Sequence, residues 1–264
     1  MPETPHILLL GATGQVGYAL RDPLSEGGSV TAATRKEADL TDAASLRRLV
    51  RTTAPDVIVN AAAYTAVDRA EDEPEQAMAV NGTAPGILAE EAARLDAWLV
   101  HYSTDYVFDG QKRTPYTEDD PTAPLGVYGQ TKRAGEVAIQ ATDAAHLILR
   151  TSWVYSLRRS NFLRTMLRLA RNHDVLNVVD DQTGCPTWAG WIANATTELL
   201  AAALDRDDST SDGGLYHLSS AGSTTWCEFA RAIFDRFGQD VHVDPIATEE
   251  YPTNAERPRY SVLD

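Results

Sequence analysis

The sequence predicts an α/β protein: a doubly wound parallel sheet followed by a smaller α/β lobe. Three observations carry that expectation. Short apolar runs alternate with amphipathic segments from Ile7 to Arg150. The runs lack the apolar–polar alternation of a sheet with one wet face, so their sheet is covered on both sides. Between the first run and the first amphipathic segment lies a glycine turn, Gly11-Ala12-Thr13-Gly14-Gln15-Val16-Gly17.

Residues 7–10 (ILLL) form a strand that stops at Gly11, and residues 16–24 have helical spacing. Residues 30–33 are strand-like. Residues 42–51 are helical, with Leu46, Leu49 and Val50 on one side. A β-branched run bounded by polar residues follows at 56–60, then a helix at 86–95 and a strand at 98–102. The series closes with a helix at 132–140 and a strand at 147–149. Strands separated by helices imply a parallel sheet with helices on both faces. Residues 103–126 carry prolines and charges without a period, and loops of that length in compact domains are functional or disordered. Beyond Arg150 the rhythm changes: helices are predicted at 161–171, 188–204 and 225–237, and an Asp/Ser/Thr-rich surface linker at 205–214. The expected division is a first domain of residues 1–152 and a lobe of residues 153–264. The lobe packs on the carboxyl edge of the sheet, with some segments returning to it.

Composition limits the partners. The 264 residues hold 23 Lys and Arg against 38 Asp and Glu, a net charge of −15. That field repels nucleic-acid phosphates and anionic membranes, so neither is an expected partner. Cys185 and Cys227 lie in no C-x-x-C setting and read as reduced thiols. The first residues, MPETPH, have no basic character, and the apolar run behind them has only strand length, unlike a signal peptide. No stretch approaches the ~20 apolar residues of a membrane span. A soluble, cytoplasmic protein is expected. Any small anion must be held by local cations and backbone dipoles against the net charge.

The glycine turn supplies such dipoles. Its first glycine permits a tight turn and its second lets the backbone approach a pyrophosphate. The third lets helix and strand pack closely, while the helix N-terminus attracts negative charge. With a strand before and a helix after, the turn reads as the dinucleotide site of a Rossmann-like domain. A dinucleotide site that prefers NAD places an acid at the end of the second strand. Here that strand ends in Thr34-Arg35-Lys36, cations suited to a 2′-phosphate, so NADPH is favoured and NADH is a weaker second. Glu37 could neutralise one of them. Asp39 and Leu40 could bracket an adenine ring.

Tyr128 and Lys132 stand four residues apart, neighbours on one helix face. A phenol of pKa about 10 is a poor acid–base group at neutral pH. A nearby ammonium stabilises the phenolate and draws the value down. Ser103-Thr104-Asp105 follows the strand at 98–102, where a hydroxyl can hydrogen-bond a carbonyl oxygen. Hydroxyl, phenol and ammonium together describe a carbonyl reductase.

These residues resemble the extended short-chain dehydrogenase/reductases. The likeness rests on the glycine turn, on Asn60-Ala61-Ala62-Ala63, and on Thr104, Tyr128 and Lys132. Longer strings narrow it to the branch that reduces dTDP-4-keto-6-deoxy sugars. They are DVIVNAAAYTAVD (56–68), HYSTDYVF (101–108), TAPLGVYGQTK (122–132), RTSWVY (150–155), DQTGCPT (181–187) and YPTNAERP (251–258). The resemblance runs from about Ile7 to the last residue. It implies an NADP-binding domain followed by a mainly substrate-binding lobe, and NADPH-dependent reduction of dTDP-4-dehydro-L-rhamnose to dTDP-L-rhamnose. The implied cofactor contacts are Gly11, Thr13, Gly14, Gln15, Val16, Arg35, Asp39, Leu40, Ala61, Ala62, Ala63, Tyr64, Thr65, Tyr102, Tyr128 and Lys132. Thr104, Tyr128 and Lys132 take the catalytic roles, and Thr104, Asp105, Tyr106, Trp153 and Arg257 fall where the family holds its sugar nucleotide. The alternatives are a core position for Trp153, a loop cap for Asp105 and an ion pair for Arg257.

The chain departs from the family in three places. Thr34 stands where NADH-using members carry an acid. Ala19 and Gly190 stand where some members carry the glutamates of a magnesium-dependent dimer, so a monomer with no metal is expected. Members also continue by about a helix beyond the position of Asp264. Two other readings compete: a sister reductase making another deoxysugar, and a non-catalytic NADP-binding regulatory subunit. The intact Thr104, Tyr128 and Lys132 speak against the second.

Overall fold

The computed structural model describes residues 4–205 and 213–264. The chain opens with β1 (His6–Leu10), α1 (Gln15–Gly27), β2 (Ser29–Ala33), α2 (Ala43–Thr53) and β3 (Val57–Asn60). Next come α3 (Val67–Asp72), α4 (Pro74–Met78), one π turn (Ala79–Thr83), α5 (Ala84–Leu95) and β4 (Trp98–Thr104). Then follow α6 (Val127–Gln140), β5 (His146–Thr151), β6 (Val154–Tyr155), α7 (Phe162–Leu169) and β7 (Val175–Val179). The remainder comprises β8 (Thr183–Gly184), β9 (Thr187–Trp188), α8 (Ala189–Leu204) and β10 (Gly214–His217). It ends with β11 (Thr224–Thr225), α9 (Trp226–Phe237) and β12 (His242–Ile246).

Six strands form the central sheet in the order β10-β5-β4-β3-β1-β2, and every pairing in it is parallel. Alternate residues of one strand serve opposite cores, which explains the unbroken apolar runs. Leu8, Leu10 and Ile58 pack with Leu46 and Val50 of α2 and Leu88 of α5. Leu9, Val57 and Val59 pack on the other face with Leu20 and Leu24 of α1 and Ile192 and Leu200 of α8. The doubly wound α/β sheet is therefore present, and the chain beyond residue 152 supplies its sixth strand, β10, and one covering helix, α8. A separate core, with Leu163, Met166, Ile233, Phe234 and Val243, holds α7 and α9 beside the parallel pair β7–β12.

Several boundaries differ from the sequence expectation. β4 runs to Thr104, so Ser103 and Thr104 lie within the strand rather than after it. Their hydroxyls sit in a strand that pairs with β5 as far as Thr151. Helices α3 and α4, of six and five residues, carry too few turns to show a period in sequence. The strands of the lobe, several only two residues long, escape for the same reason. The predicted linker lies mostly outside the described residues, and its last residue, Gly214, begins β10. No helix among the described residues is long and apolar enough to cross a membrane.

Helix α6 is anchored by a buried ion pair. Arg150 of β5 donates from Nε and Nη2 to the two carboxylate oxygens of Glu136, at 2.9 and 2.8 Å. The side chains are 2% and 0% exposed. Arg133 adds a contact at 3.0 Å, and the Arg150 guanidinium lies 5.0 Å over the Phe108 ring. Removing one partner of such a pair strands a charge in the interior. The Glu136→Gln variant is therefore expected to lose about 3–5 kcal/mol of unfolding free energy, measured by urea denaturation. A loss under about 1 kcal/mol would show that the pair does not anchor α6.

Candidate active site

The chain reverses its winding between β1 and β3, and open α/β sheets bind ligands in the crevice beyond the strand ends at such a point. Gly11 makes that crevice. It has φ +72°, and a Cβ there would lie 2.6 Å from the Ala62 nitrogen. A Cβ on Gly17 would lie 2.2 Å from the Gly11 oxygen, so α1 packs directly on the turn. Helix α1 starts at Gly14 with no side-chain cap and no acid in its first turn. Its orphan N–H groups and the positive end of its dipole are thus uncompensated by side chains.

A cleft of about 610 Å³ extends from this turn. One end is lined by Arg35, Ala38, Asp39 and Leu40. Asp39 accepts hydrogen bonds from the Thr41 backbone (3.0 Å) and hydroxyl (2.7 Å), which hold its carboxyl below the usual range. Glu37 accepts from the Thr34 backbone at 2.9 Å and from the Thr34 hydroxyl. Glu37 is thereby turned onto Thr34, and no ion pair occupies Arg35 among the described residues. The glycine turn and Ala61, Ala62, Ala63, Tyr64 and Thr65 form the middle of the cleft. Tyr102, Ser103, Tyr128, Lys132 and Thr151 close the far end.

At that end burial governs the chemistry. It raises the Tyr128 phenol to about 12, with the Thr104 hydrogen bond working the other way. It lowers the Lys132 ammonium to about 8, with Glu136 opposing. Lys132 Nζ donates to the Tyr102 carbonyl oxygen at 2.5 Å and lies 3.2 Å from His101 Nε2. The expected net lowering of the phenol is therefore not seen: burial raises it, and Lys132 donates to β4 rather than to Tyr128. Tyr128 is thereby held as a neutral phenol at neutral pH.

Behind Tyr128 lies a connected polar group outside the cleft walls. Thr104 donates to Asp105 Oδ1 at 3.0 Å and accepts from the Tyr106 backbone at 3.2 Å. Burial raises the Asp105 carboxyl to about 6, against hydrogen bonds from Ser261, Thr104 and Ser152. The Tyr106 ring meets Tyr128 edge-on at 5.5 Å. Arg257 hydrogen-bonds Tyr106 and forms a two-pronged pair with Asp68 at 2.7 and 3.0 Å. Trp153, at φ +44°, stacks on Trp226 at 3.4 Å, and a Cβ on Gly184 would meet its ring at 2.4 Å. Thr104, Asp105, Tyr106 and Arg257 thus form one group, and Trp153 a second with Trp226.

Sequence reasoning missed Arg69 of α3, Gln76 of α4 and Glu73 between them, which line the cleft. The Arg69–Glu73 pair at i and i+4 was the available signal for a helix there. It also missed Arg159, whose Nε donates to the Thr13 carbonyl at 2.8 Å from an aperiodic turn.

Comparison with known proteins agrees with this geometry. The family model described as RmlD substrate binding domain matches residues 5–264. The dTDP-4-dehydrorhamnose reductase of Burkholderia thailandensis is 47% identical over 266 positions, covering 97% of this chain and 89% of the relative. That of Escherichia coli K12 is 44% identical over 269 positions, covering 98% and 89%. The crystal structure of dTDP-4-dehydrorhamnose reductase from Bacillus anthracis in complex with NADP superposes with a TM-score of 0.93 at 35% identity, covering 99% of this chain and 90% of that one. On a match of that length and identity, the chain belongs to the dTDP-4-dehydrorhamnose reductases, a branch of the extended short-chain dehydrogenase/reductases.

Proposed function

We propose that the protein reduces the C4 keto group of dTDP-4-dehydro-L-rhamnose to give dTDP-L-rhamnose, with NADPH as the reductant. One observation carries the reading: a neutral phenol, Tyr128, hydrogen-bonded to Thr104, closes a cleft whose middle is a glycine turn. The residues present fit the dinucleotide. Gly11 leaves room that a Cβ would fill, the α1 N-terminus is uncapped, and among the described residues the Arg35 guanidinium has no ion pair at the end where a 2′-phosphate would lie. The glycine turn with Gln15 and Val16, then Ala61–Ala63, Tyr64, Thr65, Asp39 and Leu40, would hold it. When bound, NADPH supplies the hydride that reaches the carbonyl carbon.

The chain's own residues do the rest. Tyr128 donates its proton to the carbonyl oxygen, and its hydrogen bond with Thr104 holds the phenol in line. Lys132, as an ammonium, favours the phenolate that Tyr128 becomes. Asp105, Tyr106, Trp153 and Arg257 would receive the sugar nucleotide, with Arg257 held beside Tyr106 by its pair with Asp68. In this reading residues 1–152 bind NADPH and residues 153–264 mainly the sugar nucleotide. A metal-free monomer suits the absence of carboxylates at Ala19 and Gly190. The free thiols Cys185 and Cys227 suit the reducing cytoplasm.

Oxidation of NADPH is followed with dTDP-4-dehydro-L-rhamnose, with its unepimerised precursor and with other 4-keto sugars. Fastest turnover with the first supports the assignment, and silence on all of them overturns it. Tyr128→Phe is expected to lower kcat by about 10²-fold or more while leaving the Kd for NADPH nearly unchanged; near-normal turnover would remove Tyr128 from the reaction. Arg35→Ala is expected to weaken NADPH about tenfold relative to NADH, the scale of one charge-assisted hydrogen bond. Equal losses for both cofactors would show that Arg35 does not read the 2′-phosphate. Because the Lys132 ammonium is present below about pH 8 and lost above it, kcat should fall as pH rises through that value.

A further inference from the structure

Lys132 has a neighbour that the reduction, as read above, does not use. Strands β3 and β4 pair with Asn60 opposite His101, so both side chains leave the same face of the sheet. Asn60 is 0% and His101 1% exposed. Asn60 Nδ2 lies 3.1 Å from His101 Nδ1, and His101 Nε2 lies 3.2 Å from Lys132 Nζ. One orientation of the amide is favoured. The Ala62 N–H donates to Asn60 Oδ1 at 3.2 Å, which directs the NH₂ end at the imidazole.

A neutral imidazole has one N–H and one lone pair. With Asn60 donating to the lone pair at Nδ1, the ring proton sits on Nε2 and faces Lys132. That proton suits a neutral amine, which accepts it and still donates to the Tyr102 carbonyl. It opposes an ammonium, which has no lone pair. For an ammonium to bond the ring, the proton must move to Nδ1 and Asn60 must turn its oxygen inward, leaving the Ala62 N–H against an NH₂ group. Burial and the adjacent lysine hold His101 well below its usual pKa, so the imidazolium does not intervene.

We propose that Asn60 and His101 are positioning residues that set the charge of Lys132, the ring being Nε2–H when Lys132 is an amine and Nδ1–H when it is an ammonium. The other groups facing Lys132 do not substitute for this. Tyr128 is neutral, and Glu136, one turn along α6, is paired with Arg150 and Arg133. From the helices packed on α6, Asn81 reaches Thr131 and Glu71 caps the Val127 N–H. The pair therefore acts in the same direction as burial, lowering the pH at which Lys132 loses its charge.

The inference deepens the reductase reading but is tested without turnover. In protein carrying ¹⁵N-labelled histidine, His101 is identified by the signal lost in His101→Phe, and its two ring nitrogens are followed against pH by NMR. The wild type is expected to pass from Nδ1–H to Nε2–H as pH rises through about 8. A single unchanging tautomer overturns the proposal even if turnover is normal. Asn60→Asp supplies an acceptor to both the Ala62 N–H and Nδ1–H, so it should lock Nδ1–H across the range. It should also move the alkaline limb of NADPH binding upward by about one pH unit, a tenfold change in proton affinity. In the double variant Asn60→Asp/His101→Phe that movement should shrink. A movement of full size without the imidazole would show that the new carboxylate acts by charge alone and would also overturn the relay.

Discussion

The site depends on one close approach of backbone to backbone. Gly11 lies so near Ala61 and Ala62 that any side chain would collide with the peptide between them. Parallel strands two places apart in sequence thereby bring their carboxyl ends together, and the crevice between them opens where the winding reverses. The same contact aims the first turn of α1 into the crevice and fixes the Ala62 N–H that orients Asn60. One missing Cβ thus shapes both the phosphate end and the lysine end of the cleft. It also explains how a chain of net charge −15 accommodates anionic ligands, because backbone N–H groups and a helix dipole supply positive potential where net charge does not.

At the reacting end, burial is the dominant force and pushes each group toward its neutral form. Tyr128 and Asp105 are raised and Lys132 and His101 are lowered. Such a set is costly to assemble unless each polar atom has a partner, and here most do: Thr104 between Tyr128 and Asp105, Tyr102 and His101 around Lys132. The charges that remain buried, Glu136 and Arg150, are paired with each other one turn along α6 from Lys132. The phenol and lysine are therefore presented from a helix that is itself fastened to β5.

Much of this was legible in the sequence, for a physical reason. Residues 7–10, 57–60 and 99–102 are buried on both faces, so their apolar runs survive any choice of register. The glycine turn and the Tyr128/Lys132 spacing are local constraints that chemistry imposes on adjacent residues. What escaped is non-local or short. Arg69 and Gln76 reach the cleft from helices of six and five residues, and Glu73 from the junction between them, below the length at which a period emerges. Trp226 meets Trp153 across more than seventy positions of sequence, which no window can see. The direction of the Tyr128 shift was missed because spacing reveals a neighbouring ammonium but not the burial that raises the phenol.

The pairing of Asn60 with His101 shows how a structural and a chemical requirement coincide at one register position. Asn60 ends β3, where the chain must turn beneath Gly11, and its carbonyl oxygen satisfies the Ala62 N–H that this turn would otherwise leave buried and unpaired. The other half of the same amide then has one neighbour to address, the imidazole across the ladder. An aspartate would serve the turn as well but would bring a buried charge and demand Nδ1–H of the ring; a leucine would strand the Ala62 N–H. Asparagine alone among these meets the turn, stays neutral and leaves the ring's Nε2 proton facing Lys132. The geometry of the glycine turn and the electrostatics of Lys132 are thus joined through a single side chain.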